Sequence, residues 1–167
     1  TNPVNGVDED GNLFDLDDVG QEQLDMAYCT DHPILQENLA VLEVSPEVFK
    51  SSSVLEGMKT PQFNPHNNTF YYNPSSKMSL FDQFVHEMGV HGYQKAIGSL
   101  PQRPMPISLE VDAFRLQFDV MRRQGRTTEN SIAKTEAAVS SDRQFGSYLT
   151  HLPIYNNPKK YTNDYIK

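Results

Sequence analysis

The sequence predicts an α+β fold that is mostly helical, with a small antiparallel sheet or hairpin beside a bulged helix. Three observations predict it. Apolar residues recur at helical spacing in several stretches of the 167 residues. Residues 60–63 and 69–72 are β-prone and flank the turn formers Asn64-Pro65-His66-Asn67-Asn68, the pattern of a hairpin. Finally, the stripe Phe81, Phe84, Val85, Met88 resumes at Tyr93, Ala96 and Ile97, displaced by about one residue, or roughly 100°. One inserted residue in a helix is a π-bulge, a distortion frequent at functional sites, and Gly89 at the slip tolerates it.

The length suits one core. Nine glycines and eleven prolines make the chain loop-rich, and no apolar run approaches the about 18 residues that span a membrane. A lone Cys29 excludes an internal disulfide. The net charge of −8 is uneven: residues 1–49 carry twelve acidic side chains and no Lys or Arg, the rest ten acidic and fourteen basic. Nucleic acid is therefore not an expected partner of the first segment, because phosphate binding needs clustered cations. Residues 1–38 read as an acidic, partly irregular arm, either solvated or folded back on the positive remainder. Residues 39–167 read as the functional domain.

In chain order, Asp8-Glu9-Asp10-Gly11-Asn12 resembles the start of a calcium loop, but Leu13 and Val19 stand where Gly and Glu are needed, so a tight turn is expected. Residues 21–38 carry weak helical signals and 39–44 alternate like a strand. Ser45-Pro46-Glu47 has the signature of a helix start, giving a helix to about Gly57. Ser79 with Asp82 caps the helix 80–97, which Gly98 closes. Pro101, Pro104 and Pro106 stiffen a linker. Ser108 opens a further helix to about Arg123, Gly125 ends it, and Thr127 or Thr128 starts another to about Ser140. Residues 141–167, rich in Tyr, Asn and Pro, are expected to be irregular.

The chemistry concentrates in the bulged helix, which holds His86, Glu87 and His91. Histidines four apart share a helix face and can bind one zinc. Five apart, they point about 140° from each other on a regular helix. Discounting one bulged residue returns them to one face. A zinc site also needs a third protein ligand. Glu110, in the first turn of the following helix and nineteen positions past His91, is the first candidate and Asp112 the second. Both could instead complement the helix dipole. Glu87 with His91, four apart, is an alternative pair that needs no bulge. Asp82 could orient a ligand or simply cap, and His66 could be a further imidazole or a turn residue. Tyr148, His151 and Tyr155 are candidates to stabilise a transition state, or are packing residues.

His86-Glu87, the later His91 and the downstream acidic helix start resemble the zincin metallopeptidases, in the branch that uses a downstream Glu as third ligand. The likeness covers residues 69–123. Histidines five apart are similar to those of the dipeptidyl peptidase III family. There Gly precedes the second histidine; here Val90 does, and Gly89 comes one place earlier. The small size resembles zincin domains of secreted bacterial effectors and toxins, so a secreted or periplasmic setting is one expectation. The resemblance implies a zincin-like catalytic domain in which His86, His91 and Glu110 hold Zn2+. Glu87 would deprotonate the attacking water, and a protein or peptide substrate would lie along the strand at residues 69–72. A non-catalytic zincin-like binding module and a metal-free interaction domain are the competing readings.

Overall fold

The computed structural model describes residues 14–166, so the turn expected at Asp8–Asn12 lies outside the described residues. Two helices open the fold, α1 (Asp18–Cys29) and α2 (Pro33–Glu43). Asp17 caps α1: its carboxylate accepts from the Gly20 amide, from Ser51 Oγ at 2.7 Å and from Tyr72 Oη at 2.6 Å, tying the helix start to the sheet. His32 caps α2 through Nδ1, and Pro33 occupies the first helical position, where its missing N–H costs nothing.

These helices correct two expectations. The described part of the presumed arm, residues 14–38, is integral to the core, because Phe14, Leu16, Leu24, Ala27 and Leu35 are buried with Phe84, Val85 and Met88. The acidic side chains Asp18, Glu22, Asp25 and Glu37 stay on the outer face. Residues 39–44 form no strand. Leu35, Leu39 and Leu42 make a buried stripe at helical spacing that carries α2 through them.

The sheet has strand order β1-β3-β2, with β1 (Lys50–Ser53) parallel and β2 (Gln62–Asn64) antiparallel to β3 (Thr69–Tyr72). The hairpin matches the expectation. The helix expected from Ser45 to about Gly57 is instead a turn followed by β1. Ser45 Oγ accepts from Glu47 N, but the capping signal is overridden as Phe49 is buried against Phe63 and three serines, weak helix formers, pair with β3.

The motif helix runs as α3 (Leu80–His86), a π-helical segment (Glu87–Gly92) and α4 (Tyr93–Ala96), so the bulge lies where the phase slip placed it. Ser79 caps α3, while Asp82 pairs in bidentate fashion with Arg126. Gly98, at φ 77°, ends the helix. After β4 (Met105–Pro106) comes α5 (Ile107–Arg123). Ser108 does not cap α5 itself. Its N–H and Oγ donate to Asp164, which supplies the cap from the far end of the chain.

Then follow α6 (Ser131–Ala138), α7 (Asp142–Thr150) and β5 (Tyr161–Thr162), which pairs with β4. The tail expected to be irregular therefore contains α7, capped by Ser141 and buried through Phe145 and Leu149, one turn apart. α5 separates two hydrophobic clusters. Ala113, Leu116 and Val120 face the sheet side; Ile107, Val111, Phe114 and Phe118 face α7. The histidine site lies between them.

Candidate metal centre

The π segment brings His86 and His91 together, with ring centroids 5.1 Å apart. An α-helix would have sent the second ring about 140° away. α5 crosses this segment and delivers Glu110. Nε2 of His86 lies 3.0 Å from Glu110 Oε1, and Nε2 of His91 lies 3.2 Å from Oε2. One ligand atom from each of the three lies within 4.8 Å of the others, and all three residues are buried. Ligands of a tetrahedral zinc at about 2.0–2.1 Å sit roughly 3.3 Å apart.

The next shell fixes the ring orientation. Nδ1 of His86 meets Gln117 Oε1 at 2.9 Å, and Nδ1 of His91 meets Gln94 Oε1 at 2.8 Å. Gln94 Nε2 donates to the Leu109 carbonyl, which sets that amide's orientation. Each imidazole thus donates from Nδ1 to an amide oxygen, leaving Nε2 as the inward atom, the arrangement that prepares a histidine for a metal. The edge of His86 also packs on Phe114, with centroids 4.5 Å apart.

One atom tests the fit directly. His91 Nε2 is buried and has no aligned hydrogen-bond partner. Glu110 is close enough for an ion pair but lies off the donor direction. A buried polar atom without a partner is costly, and a metal ion accepted by Nε2 removes the cost. The residues present therefore fit a metal ion.

Electrostatics point the same way. Burial works against ionisation of Glu110, yet the two imidazoles hold its carboxyl well below the usual range. Burial would depress His91, but the Glu110 carboxylate and its contacts raise it to about 9. Glu87, next to the triad with Oε2 3.7 Å from His86 Nε2, is pushed up by burial. His86, His91 and the nearby Phe63 backbone oppose that rise.

The site opens into a cleft of about 230 Å³ lined by β2, the linker and the segment after α7, residues 151–166, here called the C-terminal strap. The expected placement of residues 69–72 beside the cleft is corrected: β3 is the central strand, paired on both sides, and the edge strand lining the cleft is β2, through Gln62 and Phe63. Of the candidate stabilisers, Tyr155 lines the cleft and is buried, whereas Tyr148 stacks on Phe145. His151 is exposed and bonded to the Ser147 carbonyl. Asp112 points outward, and His66 sits exposed in the hairpin turn, so neither joins the triad.

Sequence reasoning missed Gln94, Gln117 and Tyr161. Gln117 had a signal, as a polar residue two turns past Glu110 on the buried face of α5. Gln94, three residues past His91, had another. Tyr161 reaches the cleft through the β4–β5 pairing, which no local pattern announces. Compared with known proteins, the chain matches no family model, no curated protein and no solved structure.

Proposed function

We propose that this chain is a zinc-dependent metallopeptidase. The observation that carries the reading is the buried convergence of His86, His91 and Glu110, with both Nδ1 atoms pinned and a fourth protonatable group, Glu87, beside them in an open cleft. Zinc, when bound there, would supply the Lewis acidity that polarises a carbonyl and acidifies water.

The chain's own residues supply the rest. The edge of β2 offers free main-chain groups to an extended substrate, which would add as a further strand. Glu87, its carboxyl raised by burial, accepts the proton of the attacking water and passes it to the leaving amine. Tyr155 and Tyr161 keep their phenol protons through neutral pH, since burial and the nearby Glu110 raise both. They can therefore donate to the charge that develops on the carbonyl oxygen.

The test is metal content of protein purified without chelator or metal-affinity resin, together with cleavage of a denatured protein substrate. About one zinc per chain is expected, with hydrolysis that chelation stops and zinc restores. Glu87→Gln should keep zinc and lose at least about a hundredfold in kcat. Zinc without hydrolysis would favour the non-catalytic module, and no zinc uptake would favour the metal-free interaction domain.

A further inference from the structure

We propose that the cleft selects its substrate by a carboxylate, through Arg103 and Lys160 at its mouth. For the reaction that follows binding, this rests on the hydrolase reading above. The chain is net −8, yet apart from the triad and Glu87 the charged side chains lining the cleft are these two cations. Neither makes an ion pair among the described residues, whereas Arg115, Arg122 and Arg126 are each neutralised by a carboxylate. The β4–β5 ladder brings them to one rim. Met105 N donates to the Lys160 carbonyl at 2.7 Å and Met105 pairs with Tyr161, so the segments bearing Arg103 and Lys160 run side by side.

The same cleft is lined by the apolar Leu100, Pro101 and Ile154, which offer the two cations no competing carboxylate. The inner carboxylate Glu110 already faces two imidazoles and does not cancel them. The complementary ligand is a peptide carboxylate within reach of the scissile bond, either an Asp or Glu side chain or the chain's own C-terminus.

The experiment uses the full chain carrying Glu87→Gln, loaded with zinc, in fluorescence anisotropy with a labelled glutamate-rich peptide. Its copy with Gln at those positions is compared, and both are made with free and amidated C-termini. A peptide with a carboxylate should bind about tenfold tighter than the fully neutral amide, the size expected of two exposed charge contacts. Adding Arg103→Gln and Lys160→Gln should remove that difference while zinc content and circular dichroism stay unchanged. A preference that persists on amidation assigns the carboxylate to a side chain; one that amidation abolishes assigns it to the C-terminus. Equal affinity for charged and neutral peptides, or a preference undiminished in the double variant, overturns the proposal. Cleavage of the same peptides by the unsubstituted chain separates the two readings. Selective binding without cleavage removes the hydrolase and leaves carboxylate recognition; cleavage without selectivity does the reverse.

Discussion

The floor and the roof of the cleft are built on opposite principles. The floor is the π segment and α5, where His86, His91, Gln94, Glu110 and Gln117 are each no more than 5 % exposed. At that burial an unpartnered polar atom is expensive, so their hydrogen bonds fix nearly every ring and amide. The roof is the linker and the C-terminal strap. Arg103 and Lys160 are exposed, Ile154 is 52 % exposed, and the strap is held by a two-residue ladder and by Asp164. Geometry that must hold to fractions of an ångström sits where burial enforces it; contacts that must adapt to a substrate sit where side chains can move.

The comparison breaks first, if it breaks, at the bulge. Inserting one alanine after Gly89 places the histidines six apart; the π segment absorbs one residue, and the other turns His91 by about 100° relative to His86. The expected result is loss of zinc binding by at least about a thousandfold in competition with a chromophoric chelator, with helix content by circular dichroism retained. Deleting Gly89 instead leaves the histidines four apart on one face of a regular helix and should keep zinc. Unchanged affinity after the insertion would mean that the floor does not depend on the phase set by the π turn. Next in size are Gln117→Leu and Gln94→Leu, each of which should weaken zinc about 10–100-fold by freeing one imidazole. A roof substitution that weakened zinc as much would erase the distinction between the two sides.

The pH response sharpens it further. Burial opposes the charge on His91, but the Glu110 carboxylate raises it to about 9, so the metal-free protein carries a proton there at neutral pH. Zinc uptake at pH 7 should therefore release about one proton from His91. Apparent affinity should rise about tenfold per pH unit until near pH 9 and fall as the medium is acidified. Titration calorimetry in buffers of different ionisation enthalpy measures the proton directly. Metal-free stability should move the other way. A histidine raised above its unfolded value contributes fully below about 6.5, and that contribution is lost as the pH climbs through about 9.

The convergence of His86, His91 and Glu110 was legible in the sequence because its parts are local, while Gln94 and Gln117 were missed. The bulge left a phase slip in the apolar stripe, and the three candidate ligands follow from spacing along two helices. The remainder was hidden where long-range packing decides. Phe49 turned a helix-start signature at Ser45-Pro46-Glu47 into β1, and the acidic surface of α1 and α2 disguised buried Leu24 and Leu35 as a solvated arm. In residues 141–167 the abundance of Tyr, Asn and Pro masked Ser141, Phe145 and Leu149, which suffice for α7. β2 rather than β3 became the cleft strand because β1 pairs with β3 in parallel, a choice made across nineteen residues of sequence.

The smallest effect should come from the roof's anchor. Asp164 accepts from Ser108 N at 3.0 Å and from Ser108 Oγ at 2.5 Å, and Ser108 stands two residues before Glu110 on α5. Asp164→Ala removes an exposed cap worth about 1 kcal/mol, a fall of roughly 3 °C in Tm for a chain of this size. The first turn of α5 is also held by Ile107, Glu110 and Val111, all buried. Zinc affinity should therefore change less than twofold, while KM for peptides rises a few-fold with kcat preserved as the strap loosens. A loss of zinc from Asp164→Ala would show that the strap helps hold Glu110, making roof and floor one mechanical unit. Retained zinc with raised KM would show that substrate is held from the strap and reaction is set from the helix beneath it.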